Sequence, residues 1–264
     1  MKDISEFKKK AKKIWRTFVA FETVTALAAP RLIQFANVKK NSEVLDVGCG
    51  TGVVAIAAAH VGACVSGSDL TPELIAHART NASIANLDIK FDVSDVESLP
   101  YKDNQFDYVL SQFGHMFAPR PELAISEMLR VLKPGGVIAF STWPPELLTG
   151  RLFILTNKYG PPPLKDISPP VEWGMVPIIE KRLGNSVNNI SFDRSEYGNP
   201  ALSPSHMRVS LEKYIGPITA TIKFLESDSK KLKEYRLQLD KLLAEYYHNN
   251  TVIQGYLMTK ATKI

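Results

Sequence analysis

The sequence predicts an α/β fold in which a mostly parallel sheet carries helices on both faces. Three observations support this prediction. Short apolar runs alternate with helix-like stretches from residue 42 to residue 142, and a glycine-rich turn separates the first run from the first helix. Hydrophobic residues make up 45% of the 264 residues, enough to bury one large core. Strand–helix alternation of this kind is typical of parallel sheets with both faces covered.

The individual elements follow from the spacing of apolar residues and from the positions of glycine and proline. Five strands are predicted before Trp143, at residues 43–47, 63–67, 89–93, 106–111 and 137–142. Three helices are predicted between them, at residues 53–60, 72–85 and 121–132, the last of which ends at the breaker 133–136. After a proline run at 161–163, we expect a strand at 188–197, helices at 203–214 and 229–247, and a closing strand at 252–260.

Cysteine usage and apolar patterning limit the class of protein. Cys49 and Cys64 match no zinc spacing and no disulfide framework, which favours a reducing cytoplasm. No apolar region follows the charged N-terminus, so a signal peptide is not expected. The apolar stretch 53–65 is too short to span a bilayer. We therefore expect a soluble cytoplasmic protein without a metal site.

The net charge of +5 owes much to five lysines near the N-terminus: Lys8, Lys9, Lys10, Lys12 and Lys13. Apolar residues in this segment follow one face of a helix: Ile4, Phe7, Ala11, Ile14, Trp15 and Phe18. We interpret it as an amphipathic helix that packs on the core and presents its lysines to solvent. The alternative is contact with an anionic membrane surface. Nucleic acid is not an expected partner, because basic and aromatic residues are not interleaved elsewhere.

The strongest chemical signal is the glycine-rich turn VLDVGCGTG at residues 44–52. Its three glycines permit a tight turn and let a ligand approach backbone amides at a helix N-terminus. A dinucleotide fingerprint requires glycine at position 53, where this sequence has valine. Asp46 suits a ligand with a positively charged amine. Taken alone, the turn is either a ligand site or only a tight connection.

Asp69 supplies a second signal, because it follows the second predicted strand, about 20 residues after the turn. A carboxylate at this strand end can accept two hydrogen bonds from a ribose diol. The alternative is a capping role for the helix that begins at Pro72. Together with the glycine-rich turn, Asp69 favours a ligand site.

Five segments resemble, in order and spacing, the motifs of class I S-adenosylmethionine-dependent methyltransferases: residues 46–52, 68–70, 94–101, 106–107 and 129–136. They are most similar to methyltransferase type 11, the subfamily that includes the ubiquinone/menaquinone biosynthesis enzymes. The resemblance covers about residues 40–145. It implies a Rossmann-like sheet of seven strands, mostly parallel with the last strand antiparallel, and a helical region that covers the substrate. It also implies S-adenosylmethionine as cofactor and S-adenosylhomocysteine as product.

The resemblance implies a division of the chain into four parts. These are an N-terminal helical cap segment at 1–40, a cofactor-binding core at 41–145, a substrate-covering insertion with remaining core elements at 146–250, and a closing strand at 251–264. Three further segments, 111–119, 141–143 and 168–174, resemble a bacterial branch of these enzymes. That likeness implies no particular substrate.

Roles for individual residues also follow from the resemblance. The residues implied to contact the cofactor are Asp46, Gly48, Cys49, Gly50, Thr51, Gly52, Asp69, Leu70, Asp95, Val96, Ser111 and Gln112. Asp46 would organise the turn or meet the amino group, and Asp69 would hold the ribose hydroxyls. Asp95 and the backbone amide of Val96 would bind the adenine, while residues after the fourth strand would face the methionine end.

The acceptor side is less constrained, because the sulfonium already activates the methyl group and the protein mainly aligns a nucleophile. His115 is the first candidate for a general base, since its ordinary pKa is near neutrality. The alternative is that His115 only packs or caps its loop. An acceptor pocket has seven candidates: Phe18, Phe21, Glu22, Phe113, Phe117, Trp143 and Trp173. The alternative is that the aromatic residues belong to the core and that the glutamate lies on the surface.

We therefore predict an enzyme that methylates a small molecule of quinone-like, phenolic or lipid-like character. One alternative is methylation of protein or RNA. Another is a regulatory or partner protein that binds the cofactor without catalysis. A dehydrogenase is disfavoured by Val53. The sequence does not indicate the oligomeric state.

Overall fold

The computed structural model describes residues 2–162 and 167–264, so Pro163 at the end of the predicted proline run lies outside the described residues. The described strands form one sheet: β1 (Glu43–Val47), β2 (Cys64–Asp69), β3 (Lys90–Val93), β4 (Phe106–Gln112), β5 (Leu132–Thr142), β6 (Val187–Pro200), β7 (Tyr247–His248) and β8 (Thr251–Lys263).

The order of the strands explains where a ligand binds. The order is β3–β2–β1–β4–β5–β8–β6, with β7 paired to β8. Strands β1 to β5 are parallel, and β8 lies antiparallel between β5 and β6. The predicted mostly parallel sheet with an antiparallel closing strand is confirmed, and the two-residue β7 is an addition to it. Because β2 and β3 lie on one side of β1 and β4 on the other, the strand order reverses between β1 and β4, and such a reversal opens a ligand crevice beyond the carboxyl ends of the strands.

The described helices are α1 (Lys2–Trp15), α2 (Glu22–Thr25), α3 (Ala29–Ala36), α4 (Val53–His60), α5 (Pro72–Ile84), α6 (Pro121–Val131), α7 (Leu148–Tyr159), α8 (Val176–Leu183), α9 (Pro204–Tyr214), α10 (Gly216–Leu225) and α11 (Ser229–Glu245). The sequence did not predict α7 and α10. Both contain glycine in or near the first turn, but each glycine has a packing reason. A Cβ at Gly150 would lie 2.0 Å from the Pro144 carbonyl oxygen, and one at Gly216 would lie 1.7 Å from a methyl carbon of Ile14.

The predicted break at 133–136 lies inside β5. Leu132 pairs with Phe106 and Val137 pairs with Tyr108, so the intervening residues bulge out of the ladder. Gly135 has a φ of +76°, and Lys133 forms an ion pair with Asp107 at 2.8 Å. The strand therefore starts earlier than predicted, because the glycines form a bulge and not a separate turn.

Apolar side chains cover both faces of the sheet. On one face, α3, α4 and α5 bury Leu32, Ala55 and Ile75. On the other face, α6 and α8 bury Met128 and Ile179. Since α3 belongs to the layer beside the sheet, only the part of the N-terminal segment before α3 is free to lie over the strand ends.

A second apolar core lies beyond the carboxyl ends of the strands. Helices α7, α9, α10 and α11 contact one another there, and we call these four helices the helical cap. Their buried residues include Leu152, Leu211, Ile218 and Leu243. The cap packs on β8 through α7. It therefore forms a chamber on the side of the sheet to which the strand order directs a ligand.

The N-terminal helix α1 contacts α10 of the helical cap. A 3₁₀ segment, Arg16–Phe21, continues from α1 and contacts α5 and α9. Among the described residues, no single helix is long and apolar enough to cross a membrane. One pair, Ile4–Thr25 with Ala29–Ala36, meets the length and composition criteria only when joined across a bend of 73°.

Candidate cofactor and acceptor site

The glycine-rich turn connects β1 to α4. Gly48, Gly50 and Gly52 have φ values of +63°, +54° and +87°, a left-handed region that favours glycine. A Cβ at Gly50 would meet nothing within 4 Å, so the turn leaves an open face there. A Cβ at Gly114 would lie 2.5 Å from the Gly48 carbonyl oxygen. Glycine at position 114 therefore lets the loop after β4 pack directly on the turn.

Asp69, at the end of β2, is held by backbone amides. Its Oδ2 accepts a hydrogen bond from the Gly50 N–H at 3.0 Å, and its Oδ1 accepts one from the Thr71 N–H at 2.8 Å. Burial raises the pKa of this carboxyl group, although both amides oppose the shift. The carboxylate thus links the glycine-rich turn to the residue before α5. The alternative capping role is not seen, because Thr71 is the N-cap of α5 and no described side chain caps this helix.

Asp46 lies behind the glycine-rich turn and is 1% exposed. Its Oδ2 accepts a hydrogen bond from the Ala55 N–H at 3.0 Å, which ties β1 to α4. Its Oδ1 has no partner among the described residues. Burial raises the pKa of Asp46 to about 8, with a further contribution from the charge of Asp69. Of the two roles implied for Asp46, the geometry favours organisation of the turn.

A buried ion network closes the site beside β3. Glu97, whose side chain is 1% exposed, accepts hydrogen bonds from the Arg120 guanidinium at 2.7 and 3.0 Å and also pairs with Lys8. Lys8 reaches Asp95 at 2.5 Å, and its side chain is only 15% exposed. The prediction that the lysines face solvent is therefore wrong for Lys8. This residue holds α1 against the carboxylate predicted to bind adenine.

The end of β4 forms another wall of the site. Ser111 donates to the Val47 carbonyl at 2.6 Å and accepts from the His115 N–H at 3.1 Å, so its hydroxyl joins β4 to β1. Gln112 donates to the Thr25 carbonyl at 2.8 Å, and its buried Oε1 has no described partner. Phe113 has a φ of +61°, uncommon for a residue with a side chain.

One cavity of about 210 Å³ extends from these strand ends into the helical cap. Of the predicted cofactor residues, those that line it are Gly48, Gly50, Asp69, Leu70, Asp95, Val96 and Gln112. Those that do not line it, and support the turn or its neighbours instead, are Asp46, Cys49, Thr51, Gly52 and Ser111. Of the predicted acceptor residues, those that line it are Phe18, Phe21, Phe113, Phe117 and Trp143.

The remaining two acceptor candidates lie outside the cavity lining. Glu22 accepts a hydrogen bond from the Asn81 side chain at 2.7 Å, which links α2 to α5. Trp173 is 1% exposed and packs with its ring against His115 and under the Arg182 guanidinium, at 4.7 and 4.6 Å. Neither side chain is available to an acceptor, because each is engaged in a contact between elements.

His115 lines the cavity wall, but its imidazole is buried. Both ring nitrogens lack hydrogen-bond partners among the described residues, and the ring packs against Phe140 at 4.6 Å. Burial, with a smaller effect from the charge of Arg182, lowers the pKa of His115 to about 3. A histidine with this pKa is neutral at pH 7 and a weak proton acceptor. The geometry therefore favours the alternative in which His115 packs in its loop and does not act as a general base.

The three segments that resemble a bacterial branch of these enzymes meet at one place. His115 from the first, Trp173 from the third and Phe140 beside the second form a cluster of aromatic contacts. A Cβ at Gly174 would lie 2.5 Å from the Trp143 carbonyl oxygen. These segments build the wall behind the cavity, which accounts for their occurrence together without assigning them chemistry.

The family resemblance implies that residues 146–250 cover the substrate, but sequence reasoning named none of the individual lining residues on this side of the cavity. The unpredicted lining residues come from α1, from the four cap helices and from the ends of β6 and β8, and they include Phe7, Trp15, Leu148, Thr149, Leu152, Phe153, Tyr197, Met207, Leu211, Ile218 and Gln254. The apolar stripe of α1 was the one available signal. The prediction packs this stripe on the core, whereas four of its residues line the cavity: Phe7, Ala11, Trp15 and Phe18.

The site fits a nucleoside-bearing, positively charged cofactor by its own features. The backbone of the glycine-rich turn is open at Gly50, and Asp69 stands beside it. Two buried oxygens at the cavity, Ser94 Oγ and Gln112 Oε1, have no partner among the described residues and offer hydrogen bonds to a ligand. Within residues 2–162 and 167–264, no group of three His, Cys, Asp or Glu residues is arranged to hold a metal ion.

Comparison with known proteins agrees with this geometry. Residues 45–140 match the family model described as a methyltransferase domain. An uncharacterised protein of Mycobacterium tuberculosis is 30% identical over 92% of this chain and 89% of its own. The demethylmenaquinone methyltransferase of Thermus thermophilus is 35% identical over 44% of this chain and 53% of its own.

A solved structure shows the same fold. The chain superimposes on a putative methyltransferase from Bacillus halodurans with a TM-score of 0.58, 20% identity, and coverage of 88% of this chain and 97% of that one. The family model covers the region that carries the glycine-rich turn and the two acidic residues that end β2 and follow β3, Asp69 and Asp95. The chain belongs to the S-adenosylmethionine-dependent methyltransferases and uses S-adenosylmethionine as its cofactor.

Proposed function

We propose that this enzyme methylates a small, largely apolar molecule that binds beside the cofactor in the same cavity. The observation that carries the proposal is the continuity of that cavity. It begins at Gly50 and Asp69 and ends among apolar side chains of the helical cap. One continuous cavity with a polar end and an apolar end is what transfer between a cofactor and a small acceptor requires.

The polar end would hold the cofactor. Asp69 would accept from the ribose hydroxyls, while its bonds to Gly50 and Thr71 keep it in position. Asp95 and Val96 line the cavity and would contact the adenine, and Gln112, at the end of β4, would face the methionine part. S-adenosylmethionine supplies an activated methyl group when bound, so these residues have to bind and orient it and do not have to activate it.

The apolar end would hold the acceptor and exclude water. Trp15 contacts Phe117 with ring centroids 4.5 Å apart, and Phe117 contacts Phe153 at 5.7 Å. These aromatic residues come from α1, the loop after β4 and α7, so three separate elements close around the chamber. A flat, apolar molecule would bury most of its surface there.

The acceptor would lose its proton without a protein base. The described titratable side chains that line the cavity are Lys8, Asp69, Asp95, His115 and Tyr197. Two of these form the ion pair of α1, Asp69 accepts two backbone bonds, and the pKa of His115 is about 3. Burial raises the pKa of Tyr197 and keeps its hydroxyl protonated. An acceptor that ionises by itself, such as a phenol or an enol, suits this site.

The comparisons support an acceptor of this kind. The Thermus relative is named for demethylmenaquinone, which is a small molecule and not a protein or RNA. A large polymer fits the site less well, because α1 lies across the cavity and Lys8 anchors it on both Asp95 and Glu97.

Transfer of a labelled methyl group from S-adenosylmethionine into fractionated cell extract tests the proposal. We expect label in the organic-soluble fraction. Asp69→Ala should abolish it by weakening cofactor binding, whereas Asp88→Asn, a change at an exposed carboxylate, should not. Label in protein or RNA would contradict the proposed acceptor class. S-adenosylhomocysteine binding without label in any fraction would favour the non-catalytic alternative.

A further inference from the structure

Gln254 lies at the apolar end of the cavity, and two hydroxyl groups donate hydrogen bonds to its side-chain amide. It lies on β8, opposite Tyr197 of β6 in the register of the sheet. Its Oε1 accepts from the Tyr197 hydroxyl at 3.2 Å and from the Thr149 hydroxyl at 3.4 Å. All three residues line the cavity.

The two hydroxyl groups determine what Gln254 can offer to a ligand. Burial raises the pKa of Tyr197, so its hydroxyl remains a donor. With Oε1 accepting both bonds, the Gln254 side-chain NH₂ is the part of the amide left for a ligand, and it has no partner among the described residues. An NH₂ group can only donate. The ligand group that meets it is therefore a hydrogen-bond acceptor.

The surroundings limit the charge of that ligand group. The charged side chains that line the described cavity are Lys8, Asp69 and Asp95, and all three lie at the polar end. A carboxylate or phosphate next to Gln254 would be desolvated without a cation to compensate it, which is costly. An uncharged oxygen, such as a carbonyl, is satisfied by one amide donor.

Aromatic contacts connect Gln254 to the methyl-transfer end. The ring of Phe113, at the end of β4, stacks on Trp143 with centroids 3.8 Å apart and planes inclined by 14°. Trp143 contacts Tyr197 with centroids 6.2 Å apart, and Tyr197 donates to Gln254. An acceptor that extends along this wall has one end near Gln112 and the other near Gln254.

We infer that Gln254 determines acceptor specificity by donating a hydrogen bond to an uncharged oxygen, such as a carbonyl, at the end of the acceptor remote from the methylated atom. Thr149 and Tyr197 are positioning residues for this amide. The inference rests on the proposed function, because it assigns the apolar end of the cavity to the acceptor.

Two naphthalenes of similar shape test the inference in the full-length protein saturated with S-adenosylhomocysteine. 2-Acetylnaphthalene has a carbonyl group where 2-ethylnaphthalene has a methylene group. Binding can be followed by titration calorimetry and by fluorescence of Trp15 and Trp143, which line the cavity. One hydrogen bond contributes about 1 kcal/mol, so the ketone should bind roughly fivefold tighter.

Gln254→Leu should remove this preference, and Gln254→Glu should remove or reverse it. Glutamate still accepts from both hydroxyls but has no NH₂ to donate. Gln238→Leu, at an exposed position of α11, is the matched control and should leave the preference unchanged. Unchanged S-adenosylhomocysteine affinity in all three variants shows that they fold.

Equal binding of the two naphthalenes to the unsubstituted protein would overturn the inference, as would binding of neither or a preference that survives Gln254→Leu. The proposed function fails separately. If the unsubstituted protein does not bind S-adenosylhomocysteine or does not transfer a methyl group, the proposed function is contradicted. The preference between the two naphthalenes can still be measured in that case, in protein without added S-adenosylhomocysteine.

Discussion

The two ends of the cavity, which we propose hold the cofactor and the acceptor, are built from different kinds of structure. The cofactor end uses backbone: glycines with positive φ, two amides that hold Asp69, and the direct contact between Gly48 and the loop at Gly114. The acceptor end uses side chains from α1, the cap helices and two strands, most of them apolar. Backbone geometry tolerates few substitutions, whereas an apolar wall keeps its character through many. On the proposed function, this difference makes cofactor recognition locally constrained and acceptor recognition distributed.

The largest expected effect comes from the contact between the two loops. Gly114→Ala places a Cβ 2.5 Å from the Gly48 carbonyl oxygen, a backbone atom that can move only with the turn. Strain of a few kcal/mol should weaken S-adenosylhomocysteine binding about 10- to 100-fold in titration calorimetry. Gly255→Ala is the control on the acceptor side, since its Cβ meets the flexible end of Leu147 at 3.0 Å. Equal losses in both variants would remove the distinction between the two ends.

Trp15→Ala should produce the opposite pattern. It removes a ring that contacts Phe117 at 4.5 Å in the acceptor chamber and leaves the glycine-rich turn intact. We expect methyl transfer to the organic-soluble acceptor to fall about 10-fold, with S-adenosylhomocysteine affinity nearly unchanged. Phe224→Ala, which removes an aromatic ring that is 53% exposed on α10, is the matched control and should leave both quantities unchanged.

A smaller effect is expected for Lys8, the residue that joins the two ends. Lys8→Met keeps the apolar stem but removes the charge that pairs with Asp95 and Glu97. Helix α1 should then open more often, and S-adenosylhomocysteine should dissociate roughly three- to tenfold faster in stopped-flow measurements. Lys10→Met is the control, because Lys10 is 71% exposed and pairs only with Glu6 in the described structure. An unchanged dissociation rate in Lys8→Met would show that α1 does not control access.

The smallest effect concerns stability and pH. The pKa of Asp46 is raised from 3.8 to about 8 in the folded protein, so the folded state binds a proton that the unfolded state has released. This contribution to the free energy of unfolding is fully present below pH 3.8 and is lost as the pH rises to 8. The Tm of Asp46→Asn minus the Tm of the unsubstituted protein should therefore be roughly 5 °C larger at pH 8 than at pH 5.

Asp88→Asn is the control for this effect, because Asp88 is exposed. A Tm difference between Asp46→Asn and the unsubstituted protein that is constant from pH 5 to pH 8 would show that Asp46 is already ionised. Circular dichroism melts at closely spaced pH values provide the measurement.

The cofactor end could be predicted because its residues are consecutive or lie at strand ends. A glycine-rich turn after β1 and a carboxylate after β2 have fixed places in a parallel sheet, and the family resemblance added the residues after β3 and β4. The same reasoning placed Cys49, Thr51 and Ser111 at the cofactor, but these side chains do not line the cavity. A sequence motif identifies the turn without showing which of its side chains face the ligand.

The acceptor end could be predicted only in part. Phe18, Phe113 and Trp143 line the cavity, whereas Glu22 and Trp173 do not. The sequence cannot separate the two groups, because an aromatic or acidic residue that lines a cavity has the same sequence pattern as one that lies behind the cavity wall. Gln254 and Thr149 had no signal at all, since β8 and α7 meet only in the folded chain.

The buried position of Lys8 did have a signal. Residue 8 lies within the helical stripe formed by Ile4, Phe7, Ala11 and Trp15, so a lysine there is surrounded by apolar positions. Its burial needed partners from a distant part of the chain, Asp95 and Glu97, which the sequence does not place beside α1.

The most direct test of the account compares Gly114→Ala and Trp15→Ala in one experiment that measures both S-adenosylhomocysteine affinity and labelled methyl transfer to organic-soluble acceptor. We predict that both variants lose transfer, that only Gly114→Ala loses affinity, and that saturating S-adenosylmethionine does not restore transfer in Trp15→Ala. Parallel losses of affinity in the two variants, or full transfer in Trp15→Ala, would contradict a cavity with separate cofactor and acceptor ends.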